Sequence, residues 1–321
     1  MTVEYLAGKR VKGLSTERAL SMSATGGTIT TVGDYKIHTF TSSSDFVVSG
    51  SGNAQYLVVS GGGDGGAGGG GAGGVLTGYT DITAQTYPIT VAGMSANDAN
   101  GYTSTFKTFT PVGGGKGGSA DPPNQNGNNG GSGGGGGGGG TGNIGTVGLG
   151  TSGQGNNGGL ASWLAPAGSN GGGGGAGGVG SGGTGNSDAG AGGIGIANPI
   201  QGSTIGQYYD GVYYIAGGGG GGDWASYGDG GAGGIGGGGQ GQSRNSATQT
   251  SGTANTGGGG GGFWSGGNEA VRFGGSGVVI IKYDFTPTNL LTNIQNGTVF
   301  EENDTNKSFI FNSSTGAWTQ F

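Results

Sequence analysis

The sequence predicts an all-β chain with much irregular structure. An antiparallel β scaffold carries an inserted bundle of polyglycine-II helices, a small C-terminal β meander follows, and there is very little α-helix. Three observations lead there. Glycine supplies 94 of 321 residues and is gathered into tracts, among them eight in a row at 133–140. Residues between and beside the tracts carry strand signals. Within the tracts, the interruptions recur at intervals of three.

The tracts lie at 61–74, 133–140, 171–178, 217–222, 230–239 and 257–262. A segment without side chains cannot be ordered by the hydrophobic effect. It is either a flexible linker or a rod whose backbone packs on other backbones. The spacing favours rods. Asp64 and Ala67 are three apart, as are Ala72 and Val75, Ala176 and Val179, Ala191 and Ile194, and the series Asp229, Ala232, Ile235. A polyproline-II-type helix has three residues per turn. A side chain at every third position occupies one edge and leaves two bare faces, which neighbouring rods can approach for N–H···O=C and Cα–H···O contacts. Ordering a residue costs about 1–2 kcal/mol, and a net hydrogen bond returns about 0.5–1.5 kcal/mol. A bundle near break-even therefore needs an apolar scaffold to nucleate it.

That scaffold reads from both sides of the tracts. Strands are predicted at 28–32, 35–40, 45–48 and 55–59, separated by turn residues, then at 74–77, 87–91 and 104–110. Tyr56-Leu57-Val58-Val59 is apolar without alternation and predicts a strand covered on both faces. Residues 277–283 give the same signal and are expected to pair beside 55–59, closing the domain. The predicted divisions are an N-terminal attachment segment (1–23) and a glycine-rich domain (24–285). Within that domain the scaffold spans 26–112 and 275–284, and the bundle spans 61–74 and 113–274. A C-terminal meander (286–321) follows, with strands at 298–301, 307–311 and 317–320. The meander is too small to stand alone and is expected to pack on residues 1–23 or on copies of itself. Thr2–Leu6 reads as a short strand, and Ser15 as the cap of a brief helix to about Met22. Lys9, Arg10, Lys12 and Arg18 make this segment basic: a solvated face or a docking surface.

Composition excludes several classes of function. Net charge is −6 with only eleven Lys and Arg, which argues against a nucleic-acid partner. Without cysteine there are neither disulfides nor thiolate metal sites. No run of about 18 apolar residues is present, so no membrane insertion is expected. Met1–Leu20 lacks an apolar h-region, so if the protein works outside a cell it is expected to leave by a route other than ordinary secretion, release with a virus particle being one. No cofactor, metal or catalytic site is expected. The single histidine, His38, sits on a predicted strand and reads as a packed or surface residue. The GxGxxG matches open no helix in a βαβ unit. A calcium-type nonapeptide is nearly met at 182–188, but its Asp comes one position late and the unit does not repeat.

Three segments together resemble the glycine-rich domain found in bacteriophage and other virion proteins. They are Gly33–Ser42 leading to Tyr56-Leu57-Val58-Val59 and a glycine run; Ile89-Thr90-Val91 followed by 103–106 and glycines; and Gly274–Tyr283. The order and spacing cover roughly residues 26–284. The C-terminal 297–307 with Trp318 also resembles a short module of viral structural proteins. Some members of the family are tail-fibre tip adhesins, so the resemblance implies a virion location, a homo-oligomer with a trimer favoured, attachment to other virion proteins through the termini, and a host cell-surface protein or glycan as receptor.

The candidate receptor-binding residues lie in the inserts between tracts: Trp163, Leu164, Tyr208, Tyr209, Tyr213, Tyr214, Trp224, Tyr227, Arg244, Phe263, Trp264, Asn268 and Arg272. Tyr, Trp and Arg are the usual interface anchors, and loops on a rigid frame are where binding usually resides. The competing reading is that the aromatics cover the bundle ends as local mini-cores. The expected function is a non-enzymatic fibre or spike protein. A structural decoration or filament subunit without a receptor is the alternative, and ice binding is a third, weaker one.

Overall fold

A computed structural model describes residues 4–6, 10–13, 22–138, 143–164, 167–185, 188–224, 228–243, 249–263, 272–285, 295–302, 305–312 and 317–321. The described residues are all β and irregular, with no helix; the expected cap at Ser15 and the brief helix after it lie outside them. The strands are β1 (Glu4–Leu6), β2 (Arg10–Gly13), β3 (Ser23–Thr25), β4 (Thr28–Val32), β5 (Tyr35–Phe40), β6 (Ser44–Ser49), β7 (Gly52–Val59), β8 (Val75–Ile82), β9 (Thr86–Thr90) and β10 (Thr105–Phe106). Next come β11 (Ser162–Leu164), β12 (Ala167–Ser169), β13 (Ile196–Ala197), β14 (Gln207–Tyr209), β15 (Val212–Ile215) and β16 (Val278–Asp284). β17 (Val299–Glu302), β18 (Ser308–Asn312) and β19 (Ala317–Gln320) end the chain.

The scaffold is a sandwich. One sheet has the order β4-β5-β16-β7-β8, the other β10-β9-β6-β3. β16 lies between β5 and β7, with Ile280 opposite both Thr39 and Leu57, so the expected closure across more than 200 residues is present. The apolar runs of β7 and β16 are explained by their position, because both are central and covered on both faces. Phe40, Phe46, Tyr56, Val58, Phe106, Val279 and Ile281 pack between the two sheets. On the outer face of the larger sheet Ile37, Leu57, Val59, Val278 and Ile280 meet Ile200, Ile215 and Ala216 from the insert at 196–216.

Glycine rods extend this sheet. β7 runs into residues 61–66, the chain turns at 66–68, and 68–74 return it to β8. The rod 272–277 leads into β16. Each rod donates in threes. Gly217 and Gly220 donate to Gly236 and Gly239, Gly218 and Gly221 to Gly193 and Gly190, and Gly219 and Gly222 to Gly70 and Ala67, with N···O distances of 2.8–3.1 Å. Successive residues of the central rod behave alike: Gly69 and Ala72 donate to Gly171 and Gly174, Gly70 and Gly73 to Gly260 and Gly257. The same rod accepts from others, Gly217 and Gly220 from Gly259 and Gly262, Gly218 and Gly221 from Gly234 and Gly231, and Gly219 from Gly173. Three residues per turn, with donors and acceptors fanned out to different neighbours, are polyglycine-II packing, in which backbone groups are satisfied between rods rather than along one helix. The rods run both parallel and antiparallel to one another. Proximity explains the composition. A Cβ on Gly219 would stand 2.0 Å from the carbonyl oxygen of Gly260, and one on Gly69 would stand 2.0 Å from that of Gly219.

The every-third side chains separate by rod. Asp64, Ala67 and Ala72 of the central hairpin are fully buried, whereas Val179 and Ile194 of outer rods are exposed. At the far end of the chain, β17, β18 and β19 form the meander, and β2 joins it parallel to β17, with Val11 beside Phe300. Val11, Phe300, Phe309 and Trp318 make its core.

Candidate functional site

The hydrogen-bond register sorts the inserts between two ends of the bundle. The turn at 66–68 marks the end remote from the sheet. Gly222 donates to Ala67 and Phe263 to Gly66, which puts Asp223, Trp224 and Phe263 at that far end. Trp224 N donates to Gly168 O at 3.3 Å, and Ser169 bridges to Asp223, so the β11–β12 hairpin stands there too. Gln242 N donates to Gly262 O, and Gly65 N to Arg272 O, adding the rod ends at 243 and 272. The near end is set by Ala216 donating to Thr256, and Gly195 to Ile235. The insert at 196–215 lies there, against the sheet.

The candidate residues therefore divide between the two ends of the bundle. Trp163, Leu164, Trp224, Phe263 and Arg272 belong to the far end. Tyr208, Tyr209, Tyr213 and Tyr214 belong to the near end. Tyr227, Arg244, Trp264 and Asn268 lie outside the described residues, as does the end of the candidate calcium-type segment at 186–187.

At the far end, Trp163 on β11 and Trp224 meet edge to face, ring centroids 6.2 Å apart, and both are half-buried. Leu164 is the last residue of β11, opposite Ala167. Beneath them is a buried polar layer. Asn170 Nδ2 donates to Gly222 O at 2.6 Å, Asn170 Oδ1 accepts from Gly138 N at 2.7 Å, and Gln249 Nε2 donates to Gly261 O at 2.8 Å. These amides satisfy backbone groups where the rods end, as capping side chains do for helices.

Arg272 differs from the exposed cation that sequence reasoning expected. It is 5% exposed. Its guanidinium lies 5.1 Å from the Phe263 ring centroid, donates through Nη2 to Asn97 Oδ1 at 2.9 Å, and stands 3.9 Å from Asp98 Oδ1. Lys116 reaches the same Asp98 carboxylate at 2.8 Å. Both cations pin the segment around 97–100 to the bundle wall. Beside them Asp64 is fully buried and accepts from the Ser95 hydroxyl and, at 3.3 Å each, from the Ala99 and Gly274 amides. Burial pushes its carboxyl above the ordinary value of 3.8, against those hydrogen bonds. This cluster fastens rods together. Its members came from segments that composition alone does not relate.

At the near end, β14 and β15 form a hairpin in which Tyr208 faces Tyr213, ring centroids 5.1 Å apart, and Gln207 faces Tyr214. Tyr208 is 64% and Tyr209 52% exposed. The other side of the same insert, through Ile200 and Ile215, covers the sheet. The insert divides by residue: its isoleucines cover the sheet, Tyr208 and Tyr209 face solvent, and Tyr213 and Tyr214 are half-buried.

His38 is fully buried, with Nδ1 2.7 Å from Gly26 O and its ring 5.0 Å from Phe46 and 5.5 Å from Tyr283. It is a packed residue of the sandwich. Among the described residues, no group of three or more His, Asp or Glu is placed to hold a metal, and no helix is long and apolar enough to cross a membrane.

No curated protein and no solved structure matches the chain. The model of the glycine-rich domain matches residues 39–284, from β5 through the whole bundle to the end of β16. The sheet-bounded rods are therefore the extent of a recognised unit, and the chain belongs to the glycine-rich domain family.

Proposed function

We propose that this protein is a non-enzymatic attachment protein of a virus particle, whose far-end inserts bind a receptor on a host cell surface, protein or glycan. The observation that carries this reading is the Trp163–Trp224 pair, held half-exposed on capped rod ends and away from the sheet. A bundle whose amides are paired between rods is stiff, so side chains at its end keep their positions, and pre-positioning lowers the cost of binding. The terminal sheet, in which β2 of the N-terminal segment pairs with β17 of the meander, suits the second half of the role, attachment to other virion proteins or to copies of the chain.

The test is cell binding by the full-length chain. Fluorescently labelled protein is titrated onto a panel of bacterial cells and read by flow cytometry. The double variant Trp163→Ala, Trp224→Ala should lose at least tenfold in binding, as interface aromatics commonly do, while its unfolding temperature stays within a few degrees. The control pair Tyr208→Ala, Tyr209→Ala should bind normally. Undiminished binding by the tryptophan variant would refute the far end as the receptor surface.

A further inference from the structure

The outer face of the larger sheet changes character along its length. Toward the rods, Val278, Ile280, Leu57 and Val59 are buried under the insert, with Ile37 at its border opposite Lys282. One step further along the strands the same face turns polar. Lys282 stands opposite Gln55, and Gln55 opposite Tyr79; in the next row Asp284 stands opposite Tyr35, and Asn53 opposite Asp81. Residues directly opposite, or two apart on one strand, share a face. These side chains therefore lie together on the part of the sheet that the insert leaves uncovered.

The place is concave and pre-formed. Pro199 and Gln201 raise a wall at its border: Gln55 Nε2 donates to Pro199 O and Lys282 Nζ to Gln201 O, each at 3.3 Å. The Lys282 ammonium lies 4.3 Å from the Tyr35 ring centroid. Asn53 Nδ2 donates to Asp81 Oδ1 at 3.0 Å. The resulting groove encloses about 380 Å³, within the range of small-ligand sites. Tyr35 and Tyr79 stand on strands three spacings apart, roughly 14 Å across the sheet. Tyr79 is 70% exposed.

We propose that this groove is a binding site for a neutral pyranose sugar. The C–H face of such a ring packs on an exposed tyrosine ring, here Tyr79, which offers apolar area with little rotamer freedom to lose. Primary amides and an ammonium, fixed by contacts already made, meet its hydroxyls: an amide presents donor and acceptor side by side, as adjacent hydroxyls require. The carboxylates of Asp284 and Asp81 offset Lys282, so the local charge selects a neutral sugar over an acidic one. The site is independent of the attachment reading, because it lies at the opposite end from Trp163 and Trp224.

Saturation-transfer NMR on the full chain tests this with methyl glycosides of glucose, galactose, mannose and N-acetylglucosamine, and with glucuronate as the acidic comparison. At least one neutral glycoside should receive saturation, with a dissociation constant on the order of 1–10 mM, as expected of a shallow site. Tyr79→Ala should weaken it at least tenfold at an unchanged unfolding temperature, and the Trp163→Ala, Trp224→Ala variant should bind as the parent does. No transfer to any neutral glycoside, transfer undiminished by Tyr79→Ala, or preference for glucuronate would each overturn the assignment.

Discussion

The sandwich and the glycine bundle are parts of one domain, yet opposite chemistry holds them. Between the sheets, Phe40, Phe46, Tyr56 and Phe106 exclude water with side chains. Between the rods, side chains are what must be excluded: Gly217–Gly222 bond to neighbours on every side only because nothing projects from the backbone. The first region draws on apolar burial, which is non-directional and tolerant of rearrangement. The second draws on hydrogen bonds and close backbone contact, which are directional and tolerate no added volume. Strands β7, β8 and β16 run into the rods without a break, so the tolerant region sets the register for the intolerant one.

The largest effect should come from a side chain placed between rods. Gly219→Val puts its Cβ 2.0 Å from the Gly260 carbonyl oxygen. A rod cannot step aside without breaking its bonds to the other neighbours, so the cost should exceed about 5 kcal/mol, beyond ordinary single substitutions. Gly93→Ala, with no heavy atom within 4 Å of the added Cβ, should stay within about 0.5 kcal/mol, as surface changes usually do. Calorimetric unfolding of the two variants measures the contrast. A Gly219→Val protein that melts with the parent would remove the case for backbone packing.

Next in size is the sandwich. Phe46 is fully buried, with His38, Phe40 and Phe106 rings at centroid distances of 5.0, 6.1 and 6.4 Å. Phe46→Ala should cost about 3–5 kcal/mol. Limited proteolysis run alongside calorimetry sharpens the comparison. If the sheet nucleates the rods, residues 113–274 should become cleavable at the lowered melting temperature of the variant. Rods that stay resistant above it would be self-sufficient.

Much of this was legible in the sequence, for identifiable reasons. Strand signals at 28–32 and 35–40 coincide with β4 and β5, because Gly33-Asp34 supplies a turn between two β-branched and aromatic runs. The pairing of β16 beside β7 was legible because two continuous apolar runs each need cover on both faces. The spacing of three foretold rods. What it could not give is which rod neighbours which, since glycine carries no label of its partners. That ordering decides which inserts share an end, so the sequence does not assign Tyr208 and Trp224 to the opposite ends where they stand in the fold. Arg272 reads as a surface cation by type, and only the placement of Asn97 and Asp98 beside it makes a buried position tolerable. The polar patch with Tyr79 did leave a signal: Val278-Val279-Ile280-Ile281 turns to Lys282-Tyr283-Asp284 within one strand, marking where cover ends.

The smallest effect separates the two regions by pH. His38 lies inside the sandwich, and burial holds its imidazole below the ordinary 6.5, outweighing the Gly26 hydrogen bond that favours protonation, while Lys36 adds to the depression. Above pH 6.5 the ring is neutral in folded and unfolded chains alike, and its stability contribution is complete. As pH falls below 6.5 the unfolded chain takes up a proton that the folded ring resists, so the sandwich loses stability until the folded value is reached. Asp64, in the bundle, works the other way. Its carboxyl is raised above 3.8, so the unfolded chain loses that proton first as pH rises from 3.8, and folding is weakened with increasing pH until the folded carboxyl ionises. The unfolding temperature of the parent should therefore drop by a few degrees between pH 7.5 and 5 as His38 is charged in the unfolded chain, and His38→Phe should flatten that drop. A drop that survives in His38→Phe would mean that a group other than His38 carries the acid sensitivity, and that group would not be Asp64, whose linkage has the opposite sign.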